Sequence, residues 1–137
     1  MIPVTLEFFR YPNYWENEAT SVSDPVQGLE TAERLVQSLY RDVPQPVMLS
    51  FFKDDGEEFR VGFGGKESTL ILVKNGEDYY YSIGDPDRTG TAVYLCPEWT
   101  EISAKRLIPH EQAKRAFGLW FNGEDVASVV QLTTRLP

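Results

Sequence analysis

Apolar and polar residues alternate at the start of the chain. Val4, Leu6 and Phe8 are interleaved with Thr5, Glu7 and Phe9, a period of two that predicts a strand. Residues 11–23 are polar and irregular, with Tyr14 and Trp15 as exposed aromatics, and no element is expected there. At Ser23-Asp24-Pro25 the pattern changes. Asp24 can accept from free helix amides, and Pro25 suits a first helical turn. Val26, Leu29, Ala32, Val36 and Leu39 then recur every three or four residues, which predicts a helix with one apolar face. Pro44 and Pro46 end it.

Beyond the prolines the period shortens to that of strands. Residues 47–53 are apolar on both faces, Asp54-Asp55-Gly56 is a hairpin signal, and residues 59–63 form the return strand. Residues 69–74 and 78–83 flank Asn75-Gly76, whose residues both tolerate positive φ. Gly84-Asp85-Pro86-Asp87 turns the chain again, ahead of a strand at residues 91–95. A second helix starts at Pro109, and Ala113, Ala116, Phe117, Trp120 and Phe121 make its apolar stripe. Asn122-Gly123 stops it, and residues 126–132 read as a last strand. The order predicts one α+β domain over residues 1–137, an antiparallel sheet of about six strands with two α-helices packed on one face.

Composition narrows the function classes. The chain has 137 residues, enough for one self-sufficient core, and no apolar run long enough to span a membrane. Its start lacks the basic and apolar stretches of a signal peptide, and a single cysteine fits a reducing compartment, so a cytoplasmic protein is expected. The formal charge of −8 opposes direct binding to nucleic-acid phosphate or anionic membrane, and suits a basic protein partner.

Catalytic and metal signals are sparse. His110, the only histidine, reads as a solvated residue of the second helix's first turn. Glu98 and Glu101 near Cys96 would raise a thiol pKa, so Cys96 reads as structural. Gly62-Phe63-Gly64-Gly65-Lys66 lacks the Ser or Thr and the upstream glycine of a phosphate loop, and reads as a hairpin turn. No catalytic residue, cofactor or metal ligand is therefore assigned. The surface is more informative. Asp54, Asp55, Glu57 and Glu58 crowd one turn, Asp85 and Asp87 another, and Glu98 and Glu101 flank Trp99. Acidic turns beside aromatic anchors suit capture of a basic protein, although solvated loop tips have the same composition. In Tyr79-Tyr80-Tyr81, Tyr80 is expected to point away from the core. The second aromatic face this leaves is either a binding surface or a second core layer under the N-terminal segment.

From Tyr81-Ser82-Ile83-Gly84-Asp85-Pro86, through Val93-Tyr94 and Trp99-Thr100-Glu101-Ile102, to Leu107-Ile108-Pro109, the chain resembles the first immunity-protein family of bacterial polymorphic toxin systems. The likeness is motif-specific over residues 79–121 and architectural before them. The Tyr94-Leu95-Cys96-Pro97-Glu98 stretch and the absence of a tryptophan from Val129-Val130-Gln131-Leu132 depart from the family pattern. The resemblance implies a cytoplasmic antidote that binds a cognate toxin domain, for this family largely a nucleic-acid deaminase, and occludes its basic substrate groove. It also implies that Gly84, Asp85 and Pro86 build a turn, that Trp99 is core or anchor, and that variable acidic turns choose the toxin. The alternative is a non-catalytic interaction or chaperone module of a toxin-secretion system.

Overall fold

The computed structural model describes residues 2–10, 14–22, 24–39, 46–96 and 98–137. The elements run β1 (Ile2–Arg10), β2 (Tyr14–Val22), α1 (Pro25–Leu39), β3 (Val47–Lys53), β4 (Glu58–Phe63), β5 (Glu67–Ser68), β6 (Leu70–Lys74), β7 (Asp78–Ile83), β8 (Thr91–Cys96), β9 (Glu98–Ser103), β10 (Ile108–Pro109), α2 (His110–Phe121) and β11 (Gln131–Thr133). The main sheet has the order β11-β7-β6-β4-β3-β1-β2. Where β1 leaves the start of β3, β8 joins it in parallel at Val47 and Leu95, and β9 completes a hairpin with β8. The other pairings of this sheet are antiparallel. The architecture is α+β, with both helices against one face of the sheet.

Alternation along the strands builds that face. Val4, Leu6, Phe8, Val47, Leu49, Phe51, Phe59, Val61, Phe63, Leu70 and Leu72 meet Ala32 and Val36 of α1 and Ala113, Ala116, Phe117, Trp120 and Phe121 of α2. Phe117 is the hub, its ring 4.6 Å from Phe51 and 5.4 Å from Phe59. Asp24 caps α1 as its sequence predicts, accepting from the Gln27 amide at 2.8 Å. Val26 does not join the apolar face and is 62% exposed. At roughly 100° per residue it lies a third of a turn away from Ala32, the centre of the buried stripe.

Two sequence expectations need correcting, and one strand falls where the sequence predicts no element. Residues 14–22, expected to be irregular, are an edge strand in continuous register with β1. An edge strand takes its ladder from its neighbour's backbone, so its own apolar pattern can be weak. Residues 98–103 are also a strand, paired along its length with β8. Residues 126–132 are not one strand: Asp125 Oδ1 accepts from the Ala127 amide at 3.0 Å and starts a 3₁₀ turn at Val126–Ser128, so pairing with β7 begins only at Gln131. With β2 and β9 the main sheet has nine strands.

The second aromatic face is a second core, covered among the described residues by the β8–β9 hairpin, while the side chains of residues 11–23 lie outside the described ones. Tyr94 and Ile102 of the β8–β9 hairpin, with Ala104 and Leu107, fold over Met48, Ile71 and Val73, and Tyr81 packs at the margin. Two small residues make this possible. Ser82, fully buried, accepts from the Leu70 amide at 3.0 Å and donates to the Arg106 carbonyl at 2.7 Å. A Cβ on Gly84 would lie 1.9 Å from the Leu107 carbonyl oxygen, so only glycine allows residues 104–108 to approach so closely. The Ser82–Pro86 motif thus forms a joint between the two layers.

Candidate functional site

The turns of the sheet separate the charged residues into two groups. Glu58 is paired with Val73, and Lys74 with Asp78, so the β3–β4 turn lies beside the β6–β7 turn. Asn75 and Gly76 take φ of 56° and 72°, as their hairpin signal requires. α2 ends at the same place, and a cleft of about 390 Å³ is lined there by Glu57, Leu72, Lys74, Trp120, Gly123, Glu124, Asp125 and Val126. Asp54, Asp55, Glu57, Glu77, Asp78, Glu124 and Asp125 therefore share one end of the molecule. Sequence reasoning placed Asp54, Asp55 and Glu57 there and missed the other four.

No ion pair among the described residues involves these seven carboxylates. The reason lies in the two lysines beside them. Lys53 Nζ donates to the Trp120 carbonyl and sits 4.4 Å from the centroid of its ring. Lys74 Nζ lies 5.4 Å from the Tyr80 ring centroid. Both ammonium groups are thus occupied by aromatic faces and, for Lys53, by the negative end of the α2 dipole. Asp55 and Asp125 shape their own loops, accepting from the Glu57 and Ala127 amides at 2.8 and 3.0 Å, and are exposed at the surface.

Two expected surface residues belong elsewhere. Tyr80 does not point away from the helices. It packs at the margin of the helix-side core beside Leu72, because Tyr79 and Tyr81 take the opposite face. Glu58 is buried and holds Arg60 in a two-point ion pair at 2.8 and 3.2 Å. Asp85 and Asp87 are exposed at the far end of the sheet, in a turn where Asp85 Oδ1 accepts from the Asp87 amide at 2.9 Å. Glu101 is exposed on β9, near Thr91. The side chains of Glu98 and Trp99 lie outside the described residues, as do those of Tyr14, Trp15 and Cys96.

The far end has its own cleft of about 490 Å³, lined by Glu33, Val36, Gln37, Phe63, Gly64, Gly65, His110 and Lys114. His110 is not a solvated helix-start residue. It is half-buried, its ring centroid 4.7 Å from that of Phe63, and its Nδ1 shares a 2.8 Å hydrogen bond with the fully buried Ser68 hydroxyl. Burial, and after it the Lys114 ammonium, lower the His110 pKa from its ordinary value. Here two cations are paired: Lys114 lies 3.1 Å from Glu33 and 3.7 Å from Glu111, and Arg88 lies 2.6 Å from Glu67.

Among the described residues no group of His, Cys, Asp and Glu could hold a metal ion, and no helix is long and apolar enough to cross a membrane. No family model, curated protein or solved structure matches the chain. The acidic end places negative charge on three neighbouring loops, around a cleft with Leu72, Trp120 and Val126 in its walls.

Proposed function

We propose that this chain is an immunity protein that binds a cognate basic toxin domain, a nucleic-acid deaminase, and inhibits it by covering its substrate groove. The observation that carries this reading is the acidic end, where seven carboxylates have no ion-pair partner among the described residues while Lys53 and Lys74 are held on aromatic rings. A groove that binds nucleic-acid phosphate is basic, so such a surface is complementary to it and accelerates encounter. The motif resemblance over residues 79–121 supports the same reading from the sequence.

The test is titration of the purified protein into the toxin domain encoded beside its gene, following base deamination on a nucleic-acid substrate. The expected result is loss of activity in proportion to added protein, complete at one equivalent, with an association rate that falls as salt rises. A stable complex with undiminished deamination would identify an interaction module instead. Failure to form any complex would overturn both readings.

A further inference from the structure

We infer that Arg106 anchors an interaction surface on the second-core face, where its guanidinium receives a carboxylate side chain of the protein partner beside the rings of Tyr79 and Tyr81. The inference rests on the proposed function only in taking the partner to be a protein. Arg106 is 7% exposed, and its guanidinium carbon lies 4.9 Å from the Tyr81 ring centroid. Its side chain is in no ion pair and no hydrogen bond among the described residues. Burial lowers its pKa from the ordinary value, and the ionisable groups that act on it are the Tyr81 and Tyr94 phenols, with no carboxylate among them. Acidic residues outnumber basic ones by 21 to 13, yet none is placed here. A buried cation without an acid weakens the free chain, so its value lies in what it binds.

The guanidinium is reachable at its tip. Of its nitrogens only Nε is sealed from solvent without an acceptor. The terminal nitrogens have no partner among the described residues either and are not sealed, and they are the pair that a carboxylate bonds side by side. The fold fixes the group beforehand. The Ser82 hydroxyl donates to the Arg106 carbonyl at 2.7 Å, and the Gly84 amide donates to the Lys105 carbonyl at 2.8 Å. Next to it the Tyr79 ring stacks on Tyr81, with centroids 6.4 Å apart, and is 40% exposed. A held arginine beside exposed tyrosine is the composition of an interface anchor. Tyr79 follows Asp78 at the acidic end, so this surface continues the one proposed to meet the toxin.

The experiment has two arms. In the first, isotope-labelled free protein is titrated with Nα-acetyl-glutamate amide at constant ionic strength, and the Arg106 Nε–H resonance is followed. The neutral Nα-acetyl-glutamine amide and inorganic phosphate serve as comparisons. The expected result is a saturable shift with the glutamate derivative, absent with glutamine and weaker with phosphate, and loosened several-fold by Tyr79→Ala. A shift that does not saturate, that glutamine matches or that phosphate exceeds would overturn the inference. In the second arm, Arg106→Met keeps the aliphatic stem on Tyr81 and removes the charge. Its urea midpoint should hold or rise, while dissociation of the toxin complex should quicken by about 10-fold or more. A lowered midpoint would make Arg106 a structural residue, and unchanged dissociation would leave it outside the interface; either overturns the inference. No toxin enters the titration, so its failure and a failure of toxin inhibition are separate results.

Discussion

The two ends of α2 handle an excess of carboxylates in opposite ways. At its N-terminal end two cations, Arg88 and Lys114, are spent on acids. Arg88 holds Glu67 and, chiefly through that hydrogen bond, lowers the carboxyl's pKa, while Lys114 is held by Glu33 and Glu111. At the C-terminal end Lys53 and Lys74 are spent on Trp120 and Tyr80, and the acids around them have no ion-pair partner among the described residues. Local composition alone does not separate these cases, since acidic and basic residues are neighbours at both. What decides availability to a partner is where the lysines find their most favourable contacts, and that is a property of the packed aromatic core.

Anchoring of the two ends gives the largest expected contrast. Trp120→Ala removes a fully buried ring that packs on Phe59 and Phe117 and supports Lys53, and should cost about 3–5 kcal/mol. His110→Ala removes a half-buried ring and leaves the buried Ser68 hydroxyl without its hydrogen bond, and should cost roughly 1–2 kcal/mol. Urea denaturation midpoints of the two variants measure the difference. Equal losses would mean that both ends of α2 are held alike.

Charge reversal sharpens the comparison at the level of binding. Replacing Asp54, Glu57, Glu77 and Glu124 with lysine should slow association with a basic toxin domain by about 10²–10³-fold at low salt. Asp85→Asn with Asp87→Asn should change it by less than about 3-fold. Stopped-flow association at several salt concentrations reads both. If the two sets slow binding equally, the partner surface is not confined to one end.

Much of this arrangement was legible in the sequence. The Asp24 cap, the apolar stripe of α2 and the Asn75-Gly76 hairpin depend on short-range spacing, and each is found where that spacing puts it. β2 and β9 were not legible, because their ladders are supplied by β1 and β8. The acidic end was half legible. In a meander alternate turns fall at the same end, so the β3–β4 and β6–β7 turns could have been grouped, and Asp85 and Asp87 set apart. Glu124 and Asp125 could not, since their position depends on where α2 stops over the sheet. The misplacement of Tyr80 came from taking Ile83 as a core residue; the helix-side face of β7 is set instead by Leu72, its partner across the ladder.

Acidity should weaken the N-terminal end through His110. Because burial lowers its folded pKa below the ordinary 6.5, the unfolded chain binds the proton more readily than the folded one. The corresponding stability is complete above that ordinary value and is lost as pH falls through it toward the lower folded pKa. The urea midpoint should therefore fall across this window. His110→Gln should remove that part of the fall, and the chain has no second histidine to replace it. A fall of the same size in His110→Gln would place the titrating group elsewhere.

The smallest effects should differ between the ends in sign. Glu33→Gln removes the closer of the two carboxylates on Lys114, a solvent-screened pair, and should lower stability by about 0.2–0.5 kcal/mol. Glu124→Gln removes an exposed carboxylate, in no ion pair among the described residues, just beyond the C-terminus of α2, where negative charge opposes the helix dipole. It should raise stability by about 0.3 kcal/mol. Both differences are electrostatic, so moving from about 0.01 M to about 1 M salt should shrink them towards zero. Urea denaturation of both variants against the parent chain at the two salt concentrations reads the signs. A loss at Glu124 as at Glu33 would mean that the acidic end holds an ion pair after all, and its carboxylates would then be less free to meet a partner.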